Sequence, residues 1–201
     1  MTPRSTDTDA VRGCAIVRYE GGAPASAADA VTVEEPLEIR IAGEQMAVTM
    51  RTPGQDHELT LGFLFAEGLI ASARDVGSVA HCGRAGEEGY GNAIDVSAAP
   101  GATLDVTRTA VRRRGTLTTS SCGVCGRLTI DDLLARCRPV QDDTRFSAHV
   151  VARLTTTLRA GQVAFAETGG LHAAGVATRD GAVLLVREDV GRHNAVDKAI
   201  G

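Results

Sequence analysis

Leu37, Ile39 and Ile41 alternate with Glu38 and Arg40, which predicts a strand with one wet face inside an extended run over 31–41. Ala42-Gly43-Glu44 then reads as a turn, and 46–50 as a returning strand. The period changes next. Leu59, Phe63 and Ala66 share one face of a helix over 55–67, with Gly62 allowing close approach and Gly68 stopping it. Thr52 is its expected cap, Pro53 its first helical position and Gln55 the capping-box residue. Asp56, His57 and Glu58 fill its first turns, where the carboxylates suit the positive helix end.

The other elements are read the same way. Residues 1–12 are expected to fray, 23–30 to loop, and 71–91 to loop again; 93–96 and 103–106 read as strands. A helix over 130–137 follows Thr129 as cap, with Ile130, Leu133, Leu134 and Cys137 on one stripe. Another spans 148–160, between Ser147 as cap and Gly161 as stop, with Val150, Val151, Leu154 and Leu158 as its apolar face and His149 on the surface. Residues 163–166 read as a strand, and 175–178 with 182–186 as a hairpin through Arg179-Asp180-Gly181. A last helix opens near Arg192, with Val196 and Ile200 expected inward.

The 201 residues suffice for one generous domain or two small ones. A net charge of −4 gives no global signal for nucleic acid, although Arg108 and Arg112-Arg113-Arg114 can pair with phosphate or an acidic partner. The N-terminal residues are polar, without a signal-peptide core, and no apolar stretch is long enough to span a membrane. Five cysteines at low density, an odd number, suit reduced thiols in the cytoplasm. Cys14 and Cys82 have no partner in a known spacing, and Cys137 reads as buried.

Chemistry concentrates in Cys122-Gly123-Val124-Cys125-Gly126, which follows Thr118-Thr119-Ser120-Ser121. Thiols three positions apart can form a local disulfide, share a soft metal, or hold and pass on sulfur. An all-protein zinc site needs about four ligands, and the missing ones would have to be His172, His193 or Cys82. Zinc nucleobase deaminases need His-x-Glu before Pro-Cys-x-x-Cys; here His172 is followed by Ala173-Ala174, the order is reversed, and Ser121 precedes Cys122. Thioredoxin-like chemistry is weakened by Gly126, Arg127 and Thr129, which separate the thiols from an apolar helix. Toward the end, Gly169-Gly170 and Gly191 can offer backbone N–H groups to phosphate. Arg51, Arg187 and Arg192 can pair with phosphates, Asp189 or Asp197 can accept from a guanine edge, and His172 and His193 can handle protons or touch the ligand.

The chain closely resembles the FdhD family of sulfurtransferases that make formate dehydrogenase active. The resemblance rests on Glu35-Pro36-Leu37-Glu38-Ile39, on Met50-Arg51-Thr52-Pro53-Gly54 with Asp56 and Glu58-Leu59, and on the run from Gly62 to Gly68. It continues through Ser120 to Gly126, Thr168 to Ala174, and Arg187 to Lys198, in the family's order. It implies a cytoplasmic homodimer that takes persulfide sulfur from a cysteine desulfurase. It further implies transfer of that sulfur to the molybdenum or tungsten bis-guanine-dinucleotide cofactor, for the formate dehydrogenase apoenzyme. Cys122 and Cys125 are then the catalytic carrier thiols on a mobile loop, with no intrinsic metal. The alternative is a non-catalytic chaperone that binds the same cofactor. The implied fold is α/β: a three-layer α/β/α, cytidine-deaminase-like core at 116–201, with a smaller, β-rich N-terminal subdomain at 13–115 behind a disordered arm at 1–12. The family continues beyond the last matching motif, which implies a longer natural chain.

Overall fold

The computed structural model describes residues 10–84, 90–104 and 139–201. The first unit is an antiparallel ribbon of β1 (Val11–Glu20) and β2 (Ala23–Thr32). A mixed four-stranded sheet follows in the order β4-β3-β6-β5, from β3 (Glu35–Ile41), β4 (Glu44–Arg51), β5 (Val76–His81) and β6 (Ala93–Ala98). Helix α1 (Asp56–Ala66) connects β4 to β5 through a 3-10 turn at Ala73–Asp75. After residue 139 come α2 (Ala148–Ala160), the short α3 (Val163–Thr168), the hairpin β7 (His172–Ala177) and β8 (Val183–Asp189), and α4 (Arg192–Ile200). The architecture is mixed α/β.

The alternation at Leu37, Ile39 and Ile41 buries all three. One face of the large sheet thereby meets α1: Leu37, Ile39 and Ile94 cluster with Leu59, while Ile41, Met46 and Val96 cluster with Leu64. Each such side chain contributes about 1.5–3 kcal/mol on burial. The opposite flank of α1 meets α4 at backbone distance. A Cβ on Gly62 would lie 2.0 Å from the Asp197 carbonyl oxygen, so only hydrogen fits at that crossing. The small sheet packs next. Leu158 of α2 touches Gly175, and Val150 touches Gly181. Gly175 and Arg187 stand on opposite faces of the hairpin, because side chains alternate along its strands. Arg187 reaches Glu58 of α1.

Several expectations are corrected. Thr52 does not cap α1, and Gln55 forms no capping box; the helix starts at Asp56 after Gln55 at φ 51°. Tertiary bonds claim Thr52 instead: its N–H donates to Asp189, its hydroxyl accepts from Val190 N–H, and its carbonyl accepts from Lys198. Three long-range bonds outweigh one local cap. The expected frayed arm already carries strand at Val11 and Arg12, and the expected loop at 23–30 is β2. Pairing with β1 along its whole length overrides the weak strand propensity of Ala-rich sequence. Within 71–91, β5 forms by pairing with β6, and Thr103 and Leu104 are not strand. Residues 163–166 are helical rather than extended, because Glu188 caps them from another strand. Val196 and Ile200 are exposed, and α4 buries Asn194, Ala195 and Lys198 instead. The hairpin through 179–181 and helix α2 match the expectation, although Ser147 makes no side-chain cap bond. Arg108, Arg112–Arg114, Cys122, Cys125, Cys137, the helix over 130–137 and the boundary at 115/116 lie outside the described residues.

Candidate functional site

The motif from Arg187 to Asn194 divides into residues that pin the fold and residues that face outward. Arg187 donates from Nε and Nη2 to both oxygens of Glu58, and those bonds hold its guanidinium above its ordinary pKa. Asp189 is fully buried. Its Oδ1 accepts from Gly191 N–H at 2.8 Å and Asn194 Nδ2 at 3.0 Å. Its Oδ2 accepts from Thr52 N–H at 3.1 Å and pairs with Lys198 Nζ at 2.8 Å. Lys198 Nζ also donates to the Thr52 carbonyl, so this buried pair is both charge-matched and hydrogen-bonded. Asn194 donates to the Met50 carbonyl at 2.7 Å and accepts from the Thr49 hydroxyl at 3.2 Å. The motif thus fastens α4 and β8 to the end of β4.

What remains outward forms a rim. His172 stands opposite Asp189 in the hairpin register, and α4 begins at Arg192, three residues after Asp189, with Gly191 at its N-cap. Exposed side chains at this end are His172, Arg192 and His193, beside the exposed backbone of Gly169 and Gly170. Gly169 ends α3 at φ 68°, a left-handed turn that suits glycine; against the expectation, its N–H donates to the Phe165 carbonyl at 2.8 Å and that of Gly170 to Thr168 Oγ1 at 3.2 Å, so neither is free for a phosphate. Gly191 is buried, with its N–H committed to Asp189. Of the sequence-predicted residues, the structure gathers Gly169, Gly170, His172, Arg192 and His193 at one end of the small sheet. Asp189 and Arg187 stand behind them with their polar atoms engaged.

Arg51 and Asp197 sit apart from the rim. Arg51 is buried and donates from Nε and Nη2 to the two oxygens of Asp56, both at 3.0 Å. It also donates to the Gly91 carbonyl at 3.0 Å and the Asn92 side chain at 3.3 Å. Asp197 lies half-buried on α4. Burial first, then the charges of Glu67 and Asp189, push its carboxyl up to about 7.

A second group of side chains was not legible in the sequence. A cavity of about 800 Å³ opens between β1, the Pro53–His57 turn and His81, with Arg51 and Asp56 in its wall. His57 and His81 have ring centroids 5.8 Å apart, and His81 and Tyr90 6.4 Å apart. His81 Nε2 lies 3.6 Å from Asp56 Oδ2, and its buried Nδ1 has no hydrogen-bond partner among the described residues. Burial lowers the His81 pKa, opposed by Asp56 and assisted by His57, which favours the neutral imidazole. No local spacing links these residues; the pairing of β5 with β6 and the placement of α1 bring them together. Among the described residues, no cluster of three or more His, Cys, Asp or Glu is arranged to hold a metal. Cys14 and Cys82 are free thiols.

A protein of Anaeromyxobacter dehalogenans (strain 2CP-C) named sulfur carrier protein FdhD is 56% identical over 173 residues, covering 86% of this chain and 60% of that protein. One of the same name from Streptomyces coelicolor is 44% identical over 192 residues, covering 92% of this chain and 67% of that one. The chain therefore spans about 60% of the length of the Anaeromyxobacter relative. A crystal structure of a formate dehydrogenase accessory protein from Desulfotalea psychrophila has a TM-score of 0.63 at 21% identity, covering 94% of this chain and 65% of that one, and shows the fold. The family model for FdhD/NarQ matches residues 32–201, and with relatives of this identity the chain belongs to the FdhD/NarQ family.

Proposed function

We propose that this chain carries sulfur for formate dehydrogenase, with Cys122 and Cys125 as the carrier thiols. A cysteine desulfurase presents a persulfide. The Cys122 thiolate attacks its terminal sulfur, the donor's S–S bond breaks, and Cys122 becomes the persulfide while the donor leaves as thiolate. Attack by the Cys125 thiolate on the inner sulfur then releases hydrosulfide and leaves a Cys122–Cys125 disulfide. The two thiols supply both electrons, and a dithiol reductant resets the pair. The acceptor is the molybdenum or tungsten bis-guanine-dinucleotide cofactor, a substrate rather than a resident group. Its phosphates meet Arg192, with His172, His193 and the exposed Gly169-Gly170 turn beside them. Arg187, Asp189 and Gly191 act mainly by holding that surface in place, and Arg51 and Asp197 stand apart from it. The reading includes a cytoplasmic homodimer with the three-layer, deaminase-like arrangement, of which the helix-flanked hairpin is one part.

The observation that supports this most is the division of labour at residues 187–194. Charged groups that would otherwise compete for a ligand are consumed internally, and two histidines, an arginine and a glycine pair stay exposed together. Relatives named as sulfur carriers supply the reaction class. The test is intact-protein mass spectrometry after incubation with a cysteine desulfurase and cysteine. Wild type gains one sulfur that a reductant removes; Cys122→Ala does not. A Cys122→Ala variant that accepts and delivers sulfur normally removes the proposal.

A further inference from the structure

Glu188 stands in the Arg187–Asn194 motif without a part in the reading above. Alternation along β8 sends Arg187 and Asp189 to one face and Glu188 to the other. There Glu188 Oε2 accepts from Ala164 N–H at 2.9 Å, and Oε1 from Phe165 N–H at 2.8 Å. These are first-turn donors that α3 has no internal carbonyl to satisfy, and Gln162 supplies no side-chain cap. Helix α3 has six residues and no fully buried side chain, so its length does not hold it; besides Glu188, Arg159 lies 3.7 Å over the Phe165 ring and the Thr32 hydroxyl donates to Thr168 Oγ1 at 3.0 Å. Its end is the glycine pair. Thr168 Oγ1 donates to the Ala164 carbonyl at 2.8 Å and accepts from Gly170 N–H at 3.2 Å. A run of hydrogen bonds therefore connects the Glu188 carboxylate, through one short helix, to the backbone before His172.

We infer that Glu188 is a positioning residue: its carboxylate anchors the start of α3 and thereby sets 169–172 in place for an anionic ligand. The inference rests on the reading of the rim as the acceptor site. Glu188 also borders a cavity of about 600 Å³, which leaves room for a changed side chain without a clash.

The test compares Glu188→Gln and Glu188→Asp with wild type and with His172→Ala, using guanosine diphosphate as probe and amide hydrogen exchange as a second readout. Glutamine keeps the size but has one acceptor oxygen, and its NH2 meets an N–H donor. Glu188→Gln is expected to speed exchange at 164–172 while α1 and α4 keep their protection. It is expected to weaken binding about tenfold, as for loss of one charge-assisted bond, with partial recovery in Glu188→Asp. Unchanged exchange at 164–172 overturns the anchor. Faster exchange with unchanged affinity, while His172→Ala binds weakly, overturns the positioning role. If His172→Ala binds like wild type, it is the rim reading that fails, and the exchange data alone then decide whether Glu188 anchors α3.

Discussion

Replacing Asp197 by Asn should stabilise this protein at alkaline pH and leave it nearly unchanged in acid. The carboxyl titrates near 7 in the fold against an ordinary 3.8, because burial and the charges of Glu67 and Asp189 disfavour ionisation. Between those values the folded state holds a proton that the unfolded chain has lost, so stability falls as pH rises. The stabilising contribution is complete below 3.8 and is lost once pH passes about 7. At ~1.36 kcal/mol per pH unit the whole interval amounts to roughly 4 kcal/mol, a ceiling that solvent access on the half-buried side reduces to about 2–4 kcal/mol. Asn keeps the shape and removes the charge. Urea denaturation of both proteins from pH 5 to pH 8.5 isolates the effect, since all other groups are common to both. The difference should already be widening at pH 5, keep widening to about pH 7 and level off above it, with Tm raised by several degrees at pH 8. Parallel stability curves across that range would refute the reasoning.

Further substitutions test how α4 is held, against an exposed control. Gly62→Ala forces a methyl to within 2.0 Å of the Asp197 carbonyl oxygen; since both sides are helix backbone, the cost should be about 3 kcal/mol or more, and a urea midpoint equal to wild type would show that the helices can separate freely. Lys198→Met leaves Asp189 buried without its cation and should cost about 3–5 kcal/mol. Arg18→Met, which removes an exposed pair with Asp29, should leave the midpoint unchanged; comparable losses in the two variants would contradict the role given to burial.

Local pattern carried much of the fold. The alternation at Leu37, Ile39 and Ile41 had one burial solution. Gly62 and Gly68 signalled a close crossing and a helix stop, both present. The motifs that carry the family resemblance also carried the rim, since His172, Arg192 and His193 lie in glycine-bearing segments. The ribbon left a signal too: Gly21-Gly22, at φ 61° and 87°, joins its strands. What failed were segments whose state depends on distant partners. Thr52 looked like a cap because its local sequence suits one, yet its three polar groups bond to residues more than 130 positions away. Residues 163–166 looked extended, and a carboxylate on another strand made them helical.

By itself, then, the sequence determined the periodic elements, the thiol pair and the residues that mark the family. Those depend on neighbours within a few positions, where steric and hydrogen-bonding preferences act directly. Tertiary structure decided which motif residues face solvent and which are consumed, because a buried charge must find its partner wherever the chain brings one. Arg192 and Asp189 are three positions apart and equally polar; one is exposed, and the other is sealed between Lys198, Thr52 and Asn194.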